Sequence, residues 1–197
     1  MRVISGSAKG RKLKAPPGLN TRPITDMIKG ALFNVWGTRV AGCTLLDLFA
    51  GSGSVGIEAL SRGAQKVVFV DNSRAAVQVI KENLSNCRFD QTFTIYPNDV
   101  MSILMRLNRQ GDRFDLVYID PPFTIEKICE EVMLALDEVD ILETDGIVVI
   151  RTQRRKEMSD FKHLHKYRQS NYGDSSLHYY FRYEEDPKDD GNFPNIG

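Results

Sequence analysis

Residues 47–56, Asp-Leu-Phe-Ala-Gly-Ser-Gly-Ser-Val-Gly, place Gly51, Gly53 and Gly56 in a G-x-G-x-x-G spacing. Glycine lets a backbone approach a ligand closely and adopt dihedrals that a Cβ disfavours. Asp71 stands twenty residues after Gly51, where an acid can grip the two ribose hydroxyls of an adenosine. A nicotinamide, a flavin and an S-adenosylmethionine site all share this pattern. Charge separates them: a pyrophosphate favours bare helix-terminal amides, whereas a sulfonium and an ammonium tolerate nearby carboxylates. Asp47, four residues before Gly51, favours the cationic ligand. A second cluster, Asp120-Pro121-Pro122-Phe123, follows an apolar run directly. Asp99, after Asn98, closes another such run, where it can contact a bound adenine, cap the helix that follows, or do both.

These residues need a frame that brings strand ends together. Runs at 44–49, 66–70, 92–96, 114–119 and 147–150 are β-branched or aromatic-rich and nearly continuous in apolar character. Such strands are buried on both faces, as in a parallel sheet with helices on each side. Helical patterns lie between them. Ala76, Ile80 and Leu84 share a face after Asn72-Ser73; Ile103, Leu104 and Leu107 follow Asp99; Ile125, Ile128, Val132 and Leu136 follow Thr124. Strand-helix alternation over this length predicts an α/β doubly wound domain. Ligands bind such sheets at the carboxyl ends of the strands, where both clusters lie. Two further strands, 163–169 and 177–183, flank a turn-rich 170–174 and predict an antiparallel hairpin at the sheet edge. Near the N-terminus a short hairpin is expected from 2–5 and 11–14, and a helix from 25 to 36.

Asp120–Phe123 resembles the D/N-P-P-F/Y/W motif of methyltransferases that alkylate exocyclic amines: adenine N6, cytosine N4 or guanine N2. The residue types suit that reaction. An aromatic amine is a poor nucleophile because its lone pair is delocalised into the ring. Two acceptors, the Asp120 carboxylate and the Pro121 carbonyl, can hold its N–H bonds and aim the lone pair, while proline fixes the local backbone. Phe123 offers a ring on which an extruded base can stack. Asp47, as an acid before the first glycine, likewise resembles the Rossmann-like methyltransferases.

Read together, Arg2-Val3-Ile4-Ser5-Gly6, Lys9-Gly10-Arg11-Lys12-Leu13, Thr21-Arg22-Pro23, Asp47–Gly56, Gly56–Ala64, Asp120–Phe123 and Tyr172-Gly173-Asp174 resemble the RsmD family. Those are bacterial methyltransferases of guanine N2 in 16S ribosomal RNA. The resemblance implies a Rossmann-like S-adenosylmethionine-dependent sheet, mostly parallel with an antiparallel C-terminal edge hairpin. It also implies transfer to one guanine of small-subunit rRNA or of an assembly particle. Asp120, Pro121, Pro122 and Phe123 would be catalytic, and Asp47, Gly51, Gly53, Asp71 and Asp99 would bind the cofactor. The chain departs from the family at Ile24, Met27, Gly30 and Arg151; an acid is common where Arg151 stands. Other amine methyltransferases, such as a DNA or RNA adenine-N6 enzyme, share Asp120–Phe123. A DNA enzyme usually carries a sizeable target-recognition domain, for which the N-terminal segment leaves little room. A non-catalytic RNA-binding assembly factor is disfavoured by the intact cluster, and an oxidoreductase by Asp47.

The chain has 197 residues, a net charge of zero and 42% hydrophobic content, so an ordinary globular core is expected. No run approaches the roughly 20 apolar residues of a membrane span, and the first residues turn polar too soon for a secretory signal. Cys43, Cys87 and Cys129 form no CxxC, so a structural metal is not expected and a reducing cytoplasm is. The neutral total hides segregation. Residues 1–42 hold eight Lys/Arg against Asp26 alone, and 151–168 hold seven against Glu157 and Asp160, whereas 184–197 is acidic. Concentrated cations suit a polyanion, and Lys9, Arg11, Lys12 and Arg22 are the candidate RNA contacts. The expected division is a basic RNA-docking extension over 1–42, a methyltransferase domain over 43–183 and an acidic tail over 184–197, in a cytoplasmic monomer.

Overall fold

Side chains that alternate between two apolar faces dictate the architecture. The computed structural model describes residues 1–17, 24–90, 93–125 and 127–182. Strands β1 (Thr44–Leu48), β2 (Lys66–Val70), β3 (Phe93–Tyr96), β4 (Phe114–Ile119), β5 (Leu142–Gln153), β6 (Leu164–Tyr172) and β7 (Ser175–Arg182) form one sheet in the order β3-β2-β1-β4-β5-β7-β6. The first five are parallel, and β7 runs antiparallel between β5 and β6. Leu45, Val67, Phe69, Leu116, Tyr118, Ile147 and Val149 face helices α1 (Asp26–Trp36), α2 (Ser54–Ser61) and α3 (Arg74–Cys87). Their neighbours Leu46, Val68, Val70, Val117, Ile119, Val148 and Ile150 face α4 (Val100–Gln110) and α5 (Ile128–Glu138). The period of two thus buries the inner parallel strands on both sides, while the edge strand β3 is only partly buried.

Local signals set the helix starts. Thr25, Ser73 and Asp99 cap α1, α3 and α4 by accepting amides of Ile28, Ala76 and Ser102. Several expected boundaries move. β1 stops at Leu48 because Phe49 turns to φ +58°. β5 is twelve residues long, far beyond 147–150, because β4 pairs with its start at Leu142 across a bulge and β7 pairs with it up to Gln153. The expected linker 170–174 shrinks to Gly173-Asp174, since β6 and β7 pair up to Tyr172 and Ser175. The hairpin lies at the sheet edge as expected, with β7 paired to β5 and β6 outermost. Ile125 is half exposed in the turn before α5, outside the expected helical stripe. Thr92, Arg22 and the acidic 184–197 fall outside the described residues.

The N-terminal hairpin reduces to one bridge, Arg2 with Lys12. It lies flat on α2 and α3 instead of projecting. Ser61, the last residue of α2, accepts the Ser7 amide on its carbonyl and the Ala8 amide on its hydroxyl. At Gly6 (φ +80°) a Cβ would sit 1.7 Å from the Ser61 carbonyl oxygen, so only glycine permits this approach.

Gly30 has no such reason. A methyl built there meets nothing within 4 Å, and the residue lies inside α1. Gly30→Ala should therefore raise the unfolding free energy by about 1 kcal/mol, seen as a higher urea midpoint. An unchanged or lower midpoint would contradict this.

Candidate active site

Register alone assembles the site. Val70, Leu48, Ile119 and Ile150 form one row across β2, β1, β4 and β5. One step further along each chain come Asp71, Phe49, Asp120 and Arg151. The topology therefore delivers two carboxylates and a guanidinium to the carboxyl edge, around the point between β1 and β4 where the strand order reverses.

The glycine loop is held from beneath. Asp47 is buried (1% exposed), and its Oδ2 accepts the Gly56 amide at 3.0 Å. Gly53 opens α2 without a side-chain cap, so Asp47 supplies one from the strand below. Burial pushes the Asp47 carboxyl well up, against the pull of the Gly56 amide, and the charges of Asp120 and Asp71 push the same way. Asp47 thus shapes the loop and does not line the cleft. Phe49, Gly51 and Gly53 all have positive φ; the bend at Phe49 is strained for a residue with a side chain. Gly56 is a packing glycine, because a Cβ there would meet the Phe69 ring at 2.2 Å.

Asp71 bridges two segments. Its Oδ2 accepts the Gly51 amide at 2.8 Å and its Oδ1 the Ser73 amide at 2.9 Å. Burial raises its carboxyl while these amides lower it. Each oxygen keeps a lone pair, and the side of Gly51 that a Cβ would occupy is open, with Phe49 O the nearest atom at 3.9 Å. These features suit the ribose of an adenosine nucleoside. Asp99 is exposed and caps α4 through the Ser102 amide at 3.0 Å.

Across the row, Asp120 is 22% exposed. Its Oδ2 accepts from Arg151 Nη1 at 2.9 Å and from the Tyr118 hydroxyl at 3.3 Å. Its own amide donates to Leu48 O at 3.2 Å, tying the cluster to β1. Burial raises the Asp120 carboxyl; the Arg151 charge and the Tyr118 hydrogen bond oppose it. Pro121 is buried, Pro122 and Phe123 are partly so, and the Phe123 ring lies 5.2 Å from the Arg151 guanidinium. The structure thus brings Asp71, Asp120 and Phe123 to one cleft edge. In the sequence Arg151 stands in a basic block and as a departure from the family pattern, and nothing singles out Tyr118. The available signal was position: Tyr118 shares the strand face of Asp120, and Arg151 ends an apolar strand at the same edge. His178, by contrast, is fully buried beside the Thr152 hydroxyl, with its pKa lowered by burial to about 4; it stands as a neutral core histidine.

A second buried polar cluster ties the N-terminal segment to this loop. Lys29 and Glu58 are both 0% exposed and 3.4 Å apart. Lys29 Nζ also donates to Arg2 O and Ser54 Oγ, while Glu58 accepts the amides of Ile4 and Ser5 and the Arg62 Nε. Burial lowers the Lys29 pKa, and Glu58 opposes that. Asn83 donates to both Lys14 O and Ser52 O and accepts the Lys14 amide. Much of the N-terminal positive charge is therefore engaged: Lys29 inside, Arg2 with Asp26 and Lys14 with Glu82. Lys9, Arg11 and Lys12 are exposed. They sit near the far end of α2 and α3, about 12 Å from the glycine loop by the rise of an eight-residue helix. The two ends of the hairpin reach the loop and its tip points away.

Comparisons with known proteins identify relatives over most of the chain. The family described as Conserved hypothetical protein 95 matches residues 1–181. The Bacillus subtilis protein named "Putative rRNA methyltransferase YlbH" is 41% identical over 160 residues, covering 81% of this chain and 86% of that protein. "Ribosomal RNA small subunit methyltransferase D" of Haemophilus influenzae is 33% identical over 158 residues, 79% of this chain and 80% of its own. The solved structure "Putative methyltransferase yhhF" from Escherichia coli superposes with a TM-score of 0.79 at 28% identity, over 92% of this chain and 97% of that one.

The buried ion cluster makes a clear demand. Glu58→Ala leaves the Lys29 charge buried without its carboxylate and frees the Ile4 and Ser5 amides. Urea unfolding should show a loss of about 3 kcal/mol or more. A loss under 1 kcal/mol would mean that Lys29 is not held charged by Glu58.

Proposed function

Because the chain belongs to the RsmD family, whose description matches nearly its whole length, we propose that it methylates the exocyclic N2 of one guanine in 16S rRNA, free or within a small-subunit particle. Its sheet is the Rossmann-like methyltransferase fold, and methylation of ribosomal RNA is the family's chemistry. The observation that carries the exocyclic-amine reading is Asp120 at the carboxyl edge, with Oδ2 held by two protein donors; the choice of guanine N2 rests on the family resemblance.

When bound, S-adenosylmethionine would supply a sulfonium methyl group, whose C–S bond would break with its electron pair kept on sulfur as the amine nitrogen forms the new C–N bond. The protein's task is positioning. Asp71 grips the ribose, and the open side of Gly51 lets the backbone lie against the nucleoside. Phe123 stacks the extruded base. Asp120 Oδ1 and the Pro121 carbonyl accept the two amine N–H bonds, which directs the lone pair at the methyl carbon. After transfer the cationic nitrogen gives a proton to Asp120, which already holds it in a hydrogen bond. The 43–183 domain does this chemistry, and residues 1–42 dock RNA, with Lys9, Arg11 and Lys12 on phosphates at a distance from the target nucleotide. The enzyme acts as a cytoplasmic monomer.

Asp120→Ala should lower methyl transfer to small-subunit particles by at least about a hundredfold while S-adenosylmethionine affinity, measured by calorimetry, stays within about threefold, since no cofactor contact is lost. Wild-type turnover would remove Asp120 from the mechanism. Changing Lys9, Arg11 and Lys12 together to Ala should raise the KM for RNA and flatten its salt dependence, by roughly 0.7 in log–log slope per lost single-strand phosphate contact. Unchanged methylation at both low and high salt would leave these residues as solubilising charges.

A further inference from the structure

We propose that Arg151 is the positioning residue of this site: it holds one oxygen of Asp120 and the face of Phe123 in a fixed relation, so that the other oxygen and the ring meet the same base. The proposal rests on the reading of Asp120 as the amine acceptor.

The guanidinium is 2% exposed, with Nη1 2.9 Å from Asp120 Oδ2 and its centre 5.2 Å from the Phe123 ring centroid. One rigid cation thus touches the two groups that must act on one nucleobase. The Tyr118 hydroxyl donates to the same Oδ2. Two donors from adjacent strands therefore fix the carboxylate rotamer and leave Oδ1 as its working atom. A lysine could supply the charge but not the planar fork, nor the flat surface that stacks on an aromatic ring.

The same contact decides the protonation state. The groups facing Asp120 are Asp47 from β1, Tyr118 from β4, Arg151 from β5 and Cys129 from α5, with Asp174 in the β6–β7 turn acting on Arg151. Burial raises the Asp120 carboxyl, and Arg151 is the largest opposing influence. A neutral carboxyl could not accept the departing proton, and an Oδ1–H would point a donor at the amine. Removing the Arg151 charge should therefore move the acid limb of the rate profile to higher pH. The sign follows because less stabilisation of the anion means protonation at a higher pH. A side chain that merely fills the β4–β5 seam would not move that limb.

The experiment measures kcat against pH for wild type, Arg151→Met, Arg151→Lys and Asp120→Ala on small-subunit particles lacking the modification, together with the Kd for S-adenosylhomocysteine. Arg151→Met keeps much of the aliphatic packing and loses the charge. It should lower kcat at pH 7 by about a hundredfold, raise the acid-limb midpoint by about one pH unit or more, and regain part of its rate at higher pH, with Kd within about threefold. Arg151→Lys should keep the wild-type midpoint while kcat falls about tenfold. An unmoved midpoint in Arg151→Met, with the rate kept or lost evenly at every pH, overturns the proposal. If Arg151→Met does not fold, Arg151→Lys carries the test: a reduced kcat at an unmoved midpoint supports the proposal, and a wild-type kcat overturns it. Wild-type turnover by Asp120→Ala instead overturns the underlying reading of Asp120; loss of turnover there, with an unmoved midpoint in Arg151→Met, overturns only the role of Arg151.

Discussion

The carboxyl end of β1 is the point on which the rest of the structure depends. Leu48 is hydrogen-bonded into the sheet on both sides, and within the next few residues the chain must leave the strand, cross the edge and begin α2. Asp47 makes that bend possible by accepting the Gly56 amide from below. Leu48 O then receives the Asp120 amide, the Ala50 amide reaches Val70 O, and the Gly51 amide reaches Asp71. One turn of chain therefore fixes three groups: Asp71 just after β2, the open glycine between, and Asp120 just after β4. The strain at Phe49 is consistent with such a constraint, because neighbouring bonds over-determine its backbone.

The protein keeps charges inside its core, and each has a defined task. Asp47 closes a helix terminus. Lys29 and Glu58 fasten the N-terminal segment to α2. Arg151 and Asp120 meet at the cleft edge. Buried ion pairs of this kind are poor sources of net stability, since desolvation offsets much of the attraction. Their value here is geometric. Asn83 shows the same economy without charge: one amide holds Lys14 of the N-terminal segment and Ser52 of the glycine loop. The segment expected to meet RNA and the loop expected to meet the cofactor thus share a hydrogen-bonding partner.

Much of this was legible in the sequence. Continuous apolar runs identified the parallel strands, and Ser73 and Asp99 marked helix starts. The RsmD resemblance, stated on Asp47–Gly56, Asp120–Phe123 and the N-terminal motifs, agrees with the family match across residues 1–181. What was not legible depends on long-range pairing. The insertion of β7 between β5 and β6 leaves no local mark, because a hairpin looks the same from either side. Lys29 reads as one more surface cation until Glu58, twenty-nine residues away, is brought against it. Arg151 reads as part of a basic block until register sets it beside Asp120. The hairpin charge was visible, but its direction was not, because Gly6 and Ser61 determine that the hairpin lies flat.

The central claim is that the site acts on guanine N2, and the identity of the methylated nucleoside tests it most directly. Small-subunit particles lacking the modification would be incubated with the protein and isotopically labelled S-adenosylmethionine, their RNA digested, and the labelled nucleoside and its fragment identified by mass spectrometry. The account predicts label as N2-methylguanosine in a single 16S fragment. Label on adenine N6 or cytosine N4, or none in RNA at all, would contradict it.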